Sequence, residues 1–157
     1  MTEPGALLAF VLSLASSWFL TGLIWTIQVV HYPLFARVGR EGFAAYEAAH
    51  TRLITVVVGP AMLCEALTAA LLVVQRPRFV PAWAAWTLLA LVASIWISTW
   101  ALQVPMHGVL GRGFDESAHA RLVSTNWIRT AAWSARALIL AWLAWSALGA
   151  LREATSP

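Results

Sequence analysis

Most residues of this chain that could do chemistry lie in two copies of one short pattern. Glu47 and His50 belong to the first copy, Glu116 and His119 to the second; both copies read E-x-A-H-x-R-L and directly precede an apolar run. On a helix, residues three apart share one face, so each Glu and His can reach a common point. Glu-x-x-His motifs on two helices of a bundle hold dinuclear iron or manganese. The doubled pattern therefore predicts a metal centre.

A second pattern, W-x-x-Q-V followed by a histidine, precedes each of these copies. Its Trp, Gln and His residues are Trp25, Gln28 and His31 in the first half of the chain, and Trp100, Gln103 and His107 in the second. The chain therefore reads as two repeated helical hairpins, about residues 6–74 and 82–151, in a parallel repeat. With alternating topology, all four histidines fall on the same membrane face.

Imidazole and carboxylate ligands suit iron, zinc, copper or manganese. We predict one or two such ions, held by His31, Glu47, His50, His107, Glu116 and His119. Residues that orient these ligands or contact a substrate are expected to be Trp25, Gln28, Arg52, Trp100, Gln103, Arg121, Asn126 and Arg129. Haem is the competing cofactor, and direct binding of a substrate by these residues is a further alternative. Helix capping and packing without any cofactor is the structural alternative. The pattern does not define which residues are catalytic.

The composition is that of a membrane protein. Of the 157 residues, 61% are hydrophobic and 11% are charged, whereas soluble domains carry about 25% charged residues. The net charge of +3 comes from scattered arginines, so no nucleic-acid-binding surface is expected. The single cysteine, Cys64, excludes disulfides and Cys-rich zinc sites.

Four apolar segments are long enough to cross a bilayer, at about residues 6–30, 41–74, 82–104 and 116–151. We expect Pro33 and Pro105 to bend or end the first and third helices, and Asp115 to cap the fourth. A polar connection is expected over residues 34–42. The predicted fold is an all-α membrane protein, a four-transmembrane-helix bundle that forms a single domain over residues 1–157.

Two charged residues lie deep in the apolar segments. Glu65 and Arg136 would each cost about 2.5–3.5 kcal/mol at the centre of a lipid-exposed helix. Because their helices run parallel and both residues lie at similar depth, we predict that they form a buried ion pair, with Arg129 as the other possible partner of Glu65. The pair is either a clasp between the hairpins or, in a small transporter or assembly subunit, part of a polar pathway.

The last third of the chain resembles the small four-helix membrane proteins grouped with anthrone oxygenases. The resemblance rests on Val104-Pro-Met-His107-Gly-Val-Leu110 and on the later run Asn126-Trp-Ile-Arg129-Thr130. Those proteins show Pro-x-Asn-x-x-Leu after the third span, and His107 takes the place of that Asn. The resemblance implies a four-helix membrane bundle with an oxidative role on a hydrophobic aromatic molecule.

These observations favour a membrane oxidoreductase or oxygenase that acts on a hydrophobic substrate, with a quinone-like molecule as one candidate, at the His/Glu face. The expected surroundings are the lipid bilayer of a bacterial inner membrane, and a homo-oligomer is compatible with the sequence. The His-bearing face carries five arginines against three on the other face. By the positive-inside tendency, the His face is expected to be cytoplasmic.

Overall fold

The computed structural model describes residues 3–155, and side chains as far as Arg152. Residues 1–2 and 156–157 of the predicted domain lie outside the described residues. The chain forms four long helices, which are α1 (Glu3–Arg37), α2 (Arg40–Val74), α3 (Ala82–Leu110) and α4 (Glu116–Thr155). All four are long and apolar enough to cross a membrane. The described residues confirm the predicted all-α class, with four helices that are long and apolar enough to cross a membrane. The position of these helices in a membrane and the internal repeat of one hairpin stay predictions.

The helices pack in a ring. α1 contacts α2 and α4, and α3 contacts the same two helices. The interior holds two buried apolar clusters, one around Phe35, Phe43 and Leu122, the other around Leu72 and Leu140. Each helix therefore keeps one stripe inside the bundle and leaves a broad apolar face outside, as in a helix that packs in lipid.

Helix α1 continues through Pro33 because its turns widen just before the proline. Residues Ile27–His31 form a π-helix, and the backbone N–H of Tyr32 donates to the carbonyl of Ile27, five residues back. A proline ring normally clashes with the carbonyl four residues back, and one extra residue per turn relieves that clash. The helix then reaches Arg37, and α2 begins at Arg40. The predicted connection over residues 34–42 is therefore wrong, because the observed connection is much shorter.

Helix α3 uses the same device. Residues Thr99–Gln103 form a π-helix, and the N–H of Val104 donates to the carbonyl of Thr99. The helix passes Pro105 and reaches Leu110. These continued helices carry His31 and His107 inward over the end of the bundle.

Helix α4 begins at a capping residue. The side chain of Asp115 accepts a hydrogen bond from the backbone N–H of Ala118 at 2.7 Å. Such a cap satisfies one of the amide groups that the first turn of a helix leaves without a partner. The prediction of Asp115 as N-cap is confirmed.

Glu65 and Arg136 are in direct contact and tie all four helices together. Arg136 donates from Nε to Glu65 Oε1 at 2.7 Å, from Nη2 to Ser13 Oγ at 2.7 Å, and from Nη1 to the carbonyl of Leu88 at 2.8 Å. Trp133 Nε1 donates to the other carboxylate oxygen at 2.9 Å. Each polar atom has a partner, which a dry interior requires. We call this group the Glu65–Arg136 clasp.

Removing the negative charge of this clasp should destabilise the protein. In Glu65→Gln the Arg136 charge stays buried without a counterion, and breaking a buried pair in this way costs about 3–5 kcal/mol. Thermal unfolding in detergent, followed by tryptophan fluorescence, measures the loss. Glu116→Gln changes an exposed carboxylate and is the matched control. Equal unfolding midpoints for the two variants would contradict the clasp.

Candidate functional site

Four of the six predicted ligands meet at one end of the bundle. His31 Nε2 lies 2.9 Å from His50 Nδ1, and the His50 and His107 rings are 5.5 Å apart. Glu47 Oε1 and His107 Nδ1 are hydrogen-bonded. We call these four residues the rim cluster. The rim cluster joins α1, α2 and α3. The structure thus brings His31, His50 and His107 together, as the sequence predicts.

The other two predicted ligands do not join it, which corrects the predicted set. His119 Nε2 donates to the backbone carbonyl of Tyr32 at 2.8 Å, and Glu116 is exposed. The cause is the rotation of α4. Ala118 and Leu122, one turn apart, are buried and face the bundle, so Glu116, two residues before Ala118, points away from it.

A chain of hydrogen bonds leads from the rim cluster into the bundle. His107 is bonded to Glu47 through Nδ1 and to the Tyr32 hydroxyl through Nε2, the latter at 3.0 Å. A carboxylate only accepts hydrogen bonds, so Nδ1 carries the proton and Nε2 accepts from the tyrosine. We call Glu47, His107 and Tyr32 the proton relay.

Arg129 lies at the inner end of the relay. Its Nη2 donates to the Tyr32 hydroxyl at 3.3 Å, and its Nε donates to Asn126 Oδ1 at 2.9 Å. Asn126 in turn donates to Gln28 Oε1 at 2.8 Å, and Gln28 donates to the carbonyl of Val123 at 3.1 Å. Within residues 3–155, Arg129 is buried and has no carboxylate partner. The network therefore fixes a cation without a counterion beside Tyr32.

An apolar cavity of about 410 Å³ ends at these groups. Its polar end is formed by Tyr32, His107 and Arg129. The remaining walls come from all four helices and include Leu20, Ile24, Ile54, Val58, Met62, Trp96, Trp100 and Trp133. Small-molecule sites typically have volumes of about 300–1,000 Å³ and apolar walls with few polar groups. The cavity has the form of such a site.

The expected surrounding residues divide into three groups. Gln28, Asn126 and Arg129 belong to the network beside Tyr32, and Trp100 and Gln103 line the cavity. Gln103 also donates to Thr125 Oγ1 on α4 at 3.1 Å. Arg52, Arg121 and Trp25 are exposed. The glutamines thus bind α4 rather than orient metal ligands, and the two arginines lie outside the site.

The sequence did not predict Tyr32 as a site residue, although Tyr32 lies at the centre of the site. We interpreted Tyr32-Pro33 only as a helix end, whereas the tyrosine is buried and bonded to His107 and Arg129. Its position directly after His31, at the end of an apolar run, was the available signal. The π-helix, which the sequence pattern does not reveal, decides that His31 and Tyr32 both face the interior.

The rim cluster is not a preformed metal site. Within residues 3–155, no three His, Cys, Asp or Glu side chains are grouped so that they could hold a metal ion. Both nitrogens of His107 already have hydrogen-bond partners. Glu47 Oε2, however, is buried and has no partner.

Comparison with protein families, with curated proteins and with solved structures finds no match to this chain. The resemblance to anthrone oxygenases therefore stays a prediction.

The hydrogen bonds of the site predict opposite tautomers for two histidines. His107 should carry its proton on Nδ1, and His119, which donates to a carbonyl, on Nε2. Nitrogen-15 NMR of histidine-labelled protein distinguishes the two forms. Glu47→Leu removes the acceptor of His107 and should abolish its Nδ1 preference while His119 stays unchanged, as the internal control. An Nε2 proton on His107 in the unchanged protein would contradict the relay.

Proposed function

We propose that this chain is an integral membrane oxidoreductase that binds a lipophilic molecule carrying a phenol or quinone oxygen. The ligand occupies the cavity, and the relay exchanges a proton with its oxygen. The proposal rests on the position of the Tyr32 hydroxyl. It lies at the polar end of an apolar cavity, between His107 and Arg129.

The relay suits both redox states of such a ligand. A tyrosine hydroxyl has one donor and two acceptor positions. When Tyr32 donates to His107 and accepts from Arg129, its second acceptor position is free for the O–H of a phenol or hydroquinone. When His107 donates to Tyr32 instead, the tyrosine O–H is free for a quinone carbonyl. When the ligand O–H gives its proton to Tyr32, Tyr32 passes its own proton to His107 Nε2 and His107 passes its Nδ1 proton to Glu47, which becomes protonated. The ligand oxygen is left as an anion that accepts from the tyrosine O–H, which is the second arrangement.

Arg129 favours an oxygen that carries negative charge. A buried guanidinium without a counterion is costly, and an anion at the end of the cavity would lower that cost. Deprotonation of a phenol or hydroquinone creates such an anion. The Arg129 guanidinium also lies 6.0 Å from the Trp133 ring centroid, so a cation–π contact holds it beside the cavity. The site thus supports removal of a proton from a phenol or hydroquinone, which makes such a ligand easier to oxidise.

Removing the tyrosine hydroxyl should weaken ligand binding. Tyr32→Phe loses one hydrogen bond to the ligand, so affinity for a benzoquinone or its hydroquinone should fall roughly three- to tenfold. Quenching of tryptophan fluorescence in nanodiscs measures binding, because tryptophans line the cavity. Tyr46→Phe changes the other tyrosine of the chain, which does not line the cavity, and should bind as the unchanged protein does. Equal affinities for both variants would contradict the proposal.

Metal binding is a second candidate function, and a different observation favours it. His31 and His50 present facing nitrogens at 2.9 Å. Glu47, whose other oxygen is bonded to His107, has a buried Oε2 without a partner. Tetrahedral ligand nitrogens around an ion stand slightly farther apart, given metal–nitrogen distances of about 2.0–2.1 Å. A small opening of the pair would therefore admit one iron, zinc, copper or manganese ion with Glu47 as the third ligand.

Cobalt(II) tests the metal candidate directly, since its visible absorption reports tetrahedral coordination. The protein should be prepared without a polyhistidine tag and titrated with cobalt(II). His31→Ala and His50→Ala should abolish the absorption, and His119→Ala, which changes a histidine outside the rim cluster, should retain it. No cobalt absorption in the unchanged protein, or equal loss in all three variants, would contradict a metal site. The same spectra report bound haem, the competing cofactor.

In the non-enzymatic alternative, the protein is a small transporter or an assembly subunit, and its buried polar residues serve that function. Glu65 and Arg136 are fully hydrogen-bonded and do not themselves line the cavity, which favours a structural role for the pair. We place the protein in a bacterial inner membrane with the rim cluster at the cytoplasmic side, as the arginine distribution favours. An oligomeric state is not part of the proposal.

A further inference from the structure

The exposed part of the cavity wall lies on α2 and α3. Thr55 and Gly59 on α2 and Trp100 and Val104 on α3 line the cavity, and from the exposure of three of them we infer that it opens between these two helices. Thr55, Trp100 and Val104 are exposed, with Trp100 at 63% and Val104 at 45%. We call these four residues the mouth. Other cavity residues, such as Ile24 and Met62, are buried, so the cavity has a closed side and an open side.

The mouth faces lipid, because its residues lie within the helices that are long and apolar enough to cross a membrane. Its surface is apolar. The Thr55 hydroxyl donates to the carbonyl of Thr51 at 2.6 Å, so it needs no further partner. Gly59 leaves a gap, since no atom lies within 4 Å of the position where a Cβ would stand. A hydrocarbon chain can cross such an edge without leaving a polar group unpaired.

Tyr32, His107 and Arg129 form one polar group in the cavity lining, because His107 and Arg129 both bond to the Tyr32 hydroxyl. Tyr32, His107 and Arg129 can fix a small polar ring, and the apolar walls lead from them to the mouth. A cavity of about 410 Å³ holds a ring system but not a chain that spans one leaflet of roughly 15 Å. A membrane-resident molecule with such a chain would therefore leave its tail outside.

We propose that the ligand is a tailed quinone or phenol of the membrane, whose ring binds at Tyr32 and whose hydrocarbon tail leaves sideways through the mouth into the bilayer. This inference rests on the proposed function. It adds the class of ligand, an amphiphile that reaches the site from the lipid, and the part of the chain that selects for the tail.

The test compares two ligands in nanodiscs, 2,3-dimethoxy-5-methylbenzoquinone and its decyl derivative. Thr55→Phe places a ring across the mouth. It should weaken binding of the decyl quinone roughly tenfold or more, because several methylene groups lose their contacts, and should change binding of the tail-free quinone less than about twofold. Ligand amounts are expressed as mole fractions in lipid.

Thr87→Phe is the matched control. Thr87 is also an exposed threonine of a membrane helix whose hydroxyl donates to a carbonyl four residues back, but it does not line the cavity. It should bind both quinones normally. Trp100→Ala is the complementary variant, which widens the mouth and should speed association of the decyl quinone.

The outcomes separate this inference from the function on which it rests. If the unchanged protein binds neither quinone, the proposed function is wrong and the inference falls with it. If it binds both, but Thr55→Phe weakens the two equally or neither, the mouth does not carry the tail and only the inference is overturned. Selective loss of the decyl quinone in Thr55→Phe supports it.

Discussion

The hydrogen bond between Glu47 on α2 and His107 on α3 is the contact on which the site depends. It fixes the tautomer of His107, which in turn fixes the direction of the Tyr32 hydroxyl. It also holds α2 to α3 at the closed end of the cavity, while the mouth opens farther along the same pair of helices. Because an apolar interior penalises every unpaired polar group, this bond constrains both the chemistry and the shape of the cavity.

The bundle contains two polar groups of opposite character. In the Glu65–Arg136 clasp every donor and acceptor is paired, and the clasp links all four helices. Beside the cavity, in contrast, Arg129 lacks a counterion among residues 3–155, and Glu47 Oε2 lacks any partner. Buried polar groups whose hydrogen bonds are all made suit a structural role. Buried polar groups that lack a hydrogen-bond partner or a counterion suit a binding site, where a ligand can supply the missing partner. This contrast is the reason that we propose a ligand-binding role for the groups beside Tyr32 and a structural role for the Glu65–Arg136 pair.

The sequence predicts the helices better than the site. Apolar length alone defines four spans, and the depth of Glu65 and Arg136 pairs them correctly. The error at residues 34–42 arose because a proline was expected to interrupt α1, whereas a π-helix before Pro33 lets it continue. The doubled Glu-x-x-His pattern correctly drew attention to Glu47 and His50, but the pattern carries no information on the rotation of α4, which turns Glu116 away. Tyr32 has no counterpart in the second half, so a search for repeated residues passes over it.

The proposal depends on a hydrogen bond that Tyr32 gives to the ligand oxygen once Glu47 holds the relayed proton and His107 donates from Nε2. Infrared difference spectroscopy of a bound, carbon-13-carbonyl-labelled quinone measures this bond directly, since donation to a carbonyl lowers its stretching frequency. The account predicts two inequivalent carbonyl bands in the unchanged protein, of which the lower one shifts up in Tyr32→Phe. A bound quinone with the same carbonyl bands in both proteins would contradict it.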